Sequence, residues 1–136
     1  IPGENDSDRE LDEMSAWIVE HLGPNVPLHF SAFHPDWKMR DIAATPPATL
    51  SRARRIAAEN GIRYAYTGNV HDAEGGSTWC HQCGELLIER DWYRLGKWAL
   101  NAKGRCRHCD ASIAGHFGGG PGQFGPKRIP VRLATP

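Results

Sequence analysis

The chain has 136 residues, enough for one ordinary domain or for part of one with a small module attached. Sixteen basic residues balance sixteen acidic ones, so the broad positive field that captures nucleic acid or an anionic membrane surface is not indicated. No apolar run approaches the roughly 20 residues that a spanning helix needs, and no secretion signal is visible, so a cytoplasmic protein with no membrane partner is expected.

The predicted elements begin with Ile1-Pro2-Gly3, which reads as the end of a strand and its turn, as though something preceded it. Asn5-Asp6-Ser7-Asp8 then offers N-cap side chains and first-turn acidic charge. Leu11, Met14, Ile18 and Leu22 recur every three or four positions, the stripe of an amphipathic helix that Gly23-Pro24 stops. Val26 to Phe33 reads as a strand, followed by a loop from His34 to Thr45, a length more often found in functional loops. Thr45 is expected to cap a second helix that accepts Pro46 and Pro47 in its first turn, turns Leu50, Ala53, Ile56 and Ala57 inward and ends at Asn60-Gly61. Ile62 to Thr67 is the next strand. Strands alternating with helices predict an α/β fold, a segment of a parallel sheet or partial parallel (β/α) barrel over residues 1–70.

His71 to Ser77 reads as a polar linker into a second module, residues 71–115. Glu85 to Arg90 and Trp92 to Trp98 are expected to pair as short strands, with Gly104 turning the chain toward a second knuckle. Trp79, Trp92, Tyr93 and Trp98 are expected to cover the small core of this zinc-ribbon-like β module. Residues 116–136 form a glycine- and proline-rich tail, predicted to be extended unless Phe117, Phe124 and Ile129 dock on a neighbour.

The cysteines carry the strongest chemical signal. All four occur as Cys80-His81-Gln82-Cys83 and Cys106-Arg107-His108-Cys109. A two-residue gap turns both thiolates of a pair toward one point, and two such turns supply a tetrahedral sulfur cage for a structural Zn²⁺. Iron in a rubredoxin-like cage would use the same ligands, and spacing does not choose between the metals. A disulfide pairing lacks a secretory context. A redox pair would be expected to open a helix, whereas both motifs lie beyond the last periodic helical stretch. With four sulfurs the cage is full, so a fold-stabilising site is expected rather than a hydrolytic one. His81 and His108 are read as exposed neighbours of the cage.

Taken together, Ile1-Pro2-Gly3-Glu4-Asn5-Asp6, Leu22-Gly23-Pro24, Phe33-His34-Pro35 and Arg63-Tyr64-Ala65-Tyr66-Thr67-Gly68-Asn69-Val70, followed by a four-cysteine module, resemble the C-terminal part of a radical S-adenosylmethionine enzyme. The branch it resembles is the AmmeMemoRadiSam type, related to pyruvate-formate lyase activating enzymes, and the resemblance extends to about Gly115. It implies a partial (β/α)₆ barrel whose strand ends hold a 4Fe-4S cluster and S-adenosylmethionine, cleaved reductively to a radical that abstracts hydrogen. It also implies that His34 touches S-adenosylmethionine, with Pro2, Gly3 and Asn5 lining the same cofactor edge. The alternative for His34 is a loop-structuring histidine, and for Pro2, Gly3 and Asn5 a turn and helix cap.

One departure from the family pattern decides the expectation. The CxxxCxxC loop that binds the catalytic cluster is absent, so radical chemistry and both of its cofactors are expected only in a full-length parent. Opening on Ile-Pro-Gly favours a fragment over a truncated gene product. The expected partners are the missing N-terminal barrel half or a protein substrate, and a half-barrel with an uncovered strand edge is expected to self-associate. The alternative is a free-standing zinc-ribbon binding module for a protein or nucleic-acid partner. Arg90, Arg94, Lys97, Lys103, Arg105 and Arg107 interleave with Trp92, Tyr93 and Trp98, as a phosphate-and-stacking surface would, but Glu85, Glu89, Asp91 and Asp110 dilute them and argue against nucleic acid.

Overall fold

A computed structural model describes residues 1–118, 120 and 121. The expectations for Phe124 and Ile129, and for most of the tail, lie outside the described residues. The fold is mixed α/β, with helices α1 (Asp8–Leu22), α2 (Pro47–Glu59) and α3 (Ala73–Gly76) and strands β1 (Leu28–Ser31), β2 (Ala65–Gly68), β3 (Thr78–Trp79), β4 (Leu86–Asp91) and β5 (Arg94–Trp98). Among the described residues β1 and β2 form a two-stranded parallel sheet, while β3, β4 and β5 form an antiparallel one in that order. No closed barrel is formed among the described residues.

Each helix starts and stops for local reasons. Ser7 caps α1 by accepting a hydrogen bond from the Glu10 N–H, and Gly23, at φ 86°, ends it by donating to the Ile18 and Val19 carbonyls. Leu11 is buried as the stripe requires, but Leu22 is 57 % exposed. It lies outside both apolar clusters, whereas Ile18 and Val19 pack against Ala57, Ile62 and Ala65. Thr45 does not cap α2. Pro46 holds the N-cap position with no side-chain bond, and Thr45 is instead buried between the ends of its loop, where its Oγ1 accepts the Phe33 N–H at 2.8 Å and its own N–H donates to the Phe33 carbonyl at 3.0 Å. Leu50, Ala53, Ile56 and Ala57 face inward as expected. The small Ala53 and Ala57 let α1 and the sheet approach α2 closely.

The parallel register pairs Leu28 with Ala65 through Ser31 with Gly68. Leu28 and Phe30 face the helices, so His29 and Ser31 point the other way and are exposed. β1 is shorter than the sequence suggests because Pro27 has no N–H for the ladder. Ile1-Pro2-Gly3 is a turn rather than a strand end: the Ile1 carbonyl accepts from the Glu4 and Asn5 N–H groups, which closes the chain back on itself.

The predicted polar linker holds structure of its own. Asp72 caps α3, accepting from the Gly75 N–H at 2.9 Å and the Thr67 hydroxyl at 3.0 Å. A Cβ on Gly75 would lie 2.3 Å from both acceptor and hydroxyl, so glycine is required there. This tight turn seats the antiparallel sheet directly on β2. Tyr64 is buried in the same apolar cluster as Leu87, Ile88, Leu100 and Ile113, and its hydroxyl accepts the Ala114 N–H at 3.0 Å. Tyr66 bonds Thr78, and the Arg90 guanidinium lies 5.6 Å over its ring. Trp92 and Tyr93 do not cover this core, being 63 % and 53 % exposed. They form the two-residue tip between the paired Asp91 and Arg94, which carries them past the sheet. Phe117 does dock, edge-on against Trp98, and it fills the space beside Gly104 where a Cβ would sit 2.8 Å away.

Candidate metal centre

Two chain segments build the same loop twice. In the first, the Cys80 N–H donates to the Glu85 carbonyl and the Gly84 N–H to the Cys80 carbonyl; in the second, the Cys106 N–H donates to Ala111 and the Asp110 N–H to Cys106, all at 2.8–2.9 Å. The residue after each second cysteine is in the left-handed region, Gly84 at φ 71° and Asp110 at φ 60°. Glycine adopts this without penalty and aspartate is among the residues that tolerate it best. This repeated hydrogen-bond pattern is what converts C-x-x-C spacing into two converging thiols.

The four sulfurs lie within 4.8 Å of one another. Cys80 to Cys109 is 3.6 Å and Cys83 to Cys106 is 3.8 Å, so each close approach joins one knuckle to the other. A tetrahedron with metal–sulfur bonds of about 2.3 Å has sulfur–sulfur edges of about 3.8 Å, which the two close approaches match. Cys80 and Cys106 are buried, Cys109 is partly covered and Cys83 is exposed. The cage is thus anchored in the core on one side and open to solvent on the other. The four cysteines can hold a metal ion such as zinc.

The crowded thiols perturb one another's protonation. Burial pushes the Cys80 thiol up, but the N–H groups of Cys83 and Gln82 and the neighbouring thiols outweigh it and bring it down to about 7. At Cys83 the Glu85 N–H pulls the thiol down, yet burial and the three other thiols around it push it up to about 12. One thiolate forms readily and the next is resisted, as expected where negative charges are crowded together. His81 and His108 are exposed, as expected, and burial followed by the charge of Arg63 lowers the His81 pKa.

His34 is exposed in the loop that follows β1. Because β1 and β2 are parallel, this loop and Asn69, after β2, leave the sheet at one end, where the Asn69 amide donates to the Ala32 carbonyl. Arg52 of α2 binds the Asp6 carbonyl and the Asp8 carboxylate, fixing the Pro2-Gly3-Asn5 turn near the start of α2. The Gly3 N–H donates to Asp6 and Asn5 Oδ1 accepts from the terminal amine, so this turn is tied internally. Among the described residues no hydrogen bond joins His34 to Pro2, Gly3 or Asn5.

The basic, aromatic surface is largely committed to the fold. Lys97 pairs with Glu85 and Arg105 with Asp110, while Arg107 donates to the Leu100 carbonyl and Arg90 to Thr78. Sequence reasoning missed two structural features beside the cage, the Asp72 cap and the Tyr64 hydroxyl. The D-x-x-G spacing of Asp72 and Gly75 was the signal for the first; the second joins residues 50 apart and left none.

No helix among the described residues is long and apolar enough to cross a membrane. No family model matches the chain, and no solved structure does. A curated relative is found in Methanocaldococcus jannaschii: the uncharacterized protein MJ0808 is 41% identical over 114 residues, which cover 83% of this chain and 34% of that protein. The chain therefore spans about a third of the length of the curated relative it matches.

Proposed function

We propose that this chain is the C-terminal part of a radical S-adenosylmethionine enzyme of the AmmeMemoRadiSam type, ending in a ribbon held by structural zinc. The family reading rests on the resemblance of Phe33-His34-Pro35 and the Arg63 to Val70 stretch, and the commitment of every cysteine to one cage carries its structural-metal part. Zinc matches its four sulfurs and close edges, and a filled tetrahedron has no position for water, so the ion's part is to hold the fold. The chain then has no thiol left for a catalytic 4Fe-4S cluster, and no radical step is assigned to it.

Two further facts support this reading. The parallel β1–α2–β2 unit is the building block of a (β/α) barrel, and β1 has no strand on its outer edge among the described residues. The matched relative is about three times as long as the aligned region, long enough to carry the rest of a barrel. In that setting the loop bearing His34 and the turn of Pro2, Gly3 and Asn5 lie at the cofactor end, and the outer edge of β1 meets the preceding half of the barrel. A partner-binding ribbon is the second reading, favoured by the exposed Trp92 and Tyr93 at the hairpin tip.

Intact mass with metal and iron–sulfur content, measured on protein purified from the native host, tests the proposal. A mass well above 15.1 kDa with cluster iron beside one zinc is expected. A native mass near that value with one zinc and no cluster overturns it in favour of the binding module.

A further inference from the structure

A cleft of about 600 Å³ runs between α2, the N-terminal half of β2 with the residues leading into it, and β3. It is distinct from the cage and from the His34 loop, sharing only Arg52 with the turn of Pro2, Gly3 and Asn5: it starts beside Ile62 and Tyr64, whereas His34 and Asn69 follow the opposite end of the strands, and no cysteine lines it. Its volume falls within the range of small-molecule sites, about 300–1,000 Å³.

Four guanidinium groups, of Arg52, Arg54, Arg55 and Arg63, line the cleft against two carboxylates. Both carboxylates are already engaged. Asp72 is bound by the Gly75 N–H and the Thr67 hydroxyl, and Glu74 by Arg54 at 3.0 Å. Arg54 is itself held in place, because its Nε also donates to the Ala65 carbonyl at 3.1 Å on the edge of β2 that β1 does not use. Arg63 differs from the other three in its partner: its one side-chain hydrogen bond among the described residues goes to the neutral Asn25 amide oxygen at 3.1 Å. Its charge has no counter-ion there. Among the described residues Arg55 pairs only with Glu59, an exposed i,i+4 contact that an incoming anion displaces at little cost.

The same cleft contains a fixed flat surface. Trp79 Nε1 donates to the Glu74 carbonyl at 3.0 Å, so the indole is oriented from the residue whose side chain binds Arg54. An uncompensated guanidinium suits a phosphate, which it binds through two parallel N–H donors, and an oriented indole suits a planar base. We propose that this cleft binds a nucleoside phosphate, with the phosphate on Arg63 and Arg55 and the base against Trp79. The site does not depend on the radical-enzyme reading, since it uses neither the His34 loop nor the metal.

Calorimetric titration of the metal-loaded protein with ADP, pyrophosphate and adenosine tests this. ADP is expected to bind more tightly than either half alone. Arg63→Gln is expected to weaken ADP and pyrophosphate together by about tenfold or more, a loss of roughly 1.4 kcal/mol. Trp79→Leu is expected to weaken ADP but leave pyrophosphate unchanged, a split that general destabilisation does not produce. Arg94→Gln, at the hairpin tip, serves as the charge-matched control and is expected to bind as the parent does. The proposal is overturned if millimolar ADP gives no binding, if Arg63→Gln binds normally, or if Arg94→Gln weakens binding equally. It is also overturned if an oligonucleotide binds where ADP does not.

Discussion

In the helical half, α1, α2 and the parallel strands bury Leu11, Ala53, Ile56, Ala57, Ile62 and Ala65 in two apolar clusters, and the alanines set the distance of approach. In the ribbon, Leu87, Ile88, Leu100 and Ile113 bury a comparable set, but the same cluster includes Cys80 and Cys106, whose sulfurs close a cage with two further thiols. The first half is held by apolar contact along regular elements. The second has three short strands, and its two knuckles are loops fastened by short pairings, β3 with β4 around the first and single bridges Leu100–Cys106 and Arg105–Ser112 at the second. The contrast teaches that comparable burial need not mean comparable autonomy: one core is built of apolar side chains alone, while the other includes four thiols that can hold an ion.

Removing the metal is the harshest way to break this comparison. Prolonged chelation, or Cys106→Ser, is expected to unfold the ribbon, because metal binding to such sites contributes on the order of 10 kcal/mol. Hydrogen exchange should then show loss of protection in β4 and β5, with α2 amides keeping most of theirs. Equal loss in both would mean that the helical half depends on the ribbon. Metal affinity itself should rise with pH, because each ligand must lose its proton before it binds.

Tyr64 is where the two halves meet, so it sharpens the comparison. Tyr64→Ala is expected to cost about 3–5 kcal/mol by urea unfolding, as for other large-to-small aromatic truncations in a core. Tyr64→Phe should cost about 1 kcal/mol, because it keeps the ring but leaves the Ala114 N–H without its acceptor. If the phenylalanine variant matches the alanine variant, the hydroxyl rather than the ring joins the halves.

What could be read from the sequence follows the range of each interaction. The knuckles were legible because the bonds that make them span four or five residues, and the inward face of α2 because a helix repeats locally. Thr45 was misread as a cap because its partner, Phe33, lies 12 positions away. The hairpin aromatics were misplaced for another reason. Alternation along a strand states which face a side chain takes, but not that Trp92 and Tyr93 sit at a tip beyond the sheet. α3 was hidden by its length, since four residues show no helical period. The barrel reading rests on a resemblance, and the described strands supply one parallel pair of it.

Asp72 offers a smaller test at the joint between the halves. Asp72→Asn removes the charge that caps α3, at an expected cost of about 1 kcal/mol. The Gly75 N–H, ahead of the Thr67 hydroxyl and the Arg54 charge, holds the Asp72 carboxyl below its ordinary range, with partial burial opposing. Its contribution is therefore full above the unfolded value of about 4 and is lost as pH falls through the lower folded value. The stability gap between parent and variant should be constant near neutrality and close in acid. A gap that instead widened in acid would show that the ionised cap is not what stabilises this turn.

The smallest expected effect concerns a residue that the helical period alone would place in the core. Leu22 continues the stripe of Leu11, Met14 and Ile18, yet it is more than half exposed at the last residue of α1. Leu22→Ser should change stability by no more than about 0.5 kcal/mol, the range of an ordinary surface substitution. Leu50→Ala, at 5 % exposure in α2, should cost about 2–5 kcal/mol. The pair separates two explanations of the helical half: a core set by periodicity predicts similar losses, and a core set by contact with α2 and the sheet predicts the unequal ones. A large loss at Leu22 would mean that the end of α1 is covered in solution, and by the geometry of the helix that cover would have to come from beyond the residues that pack against Ile18 and Val19.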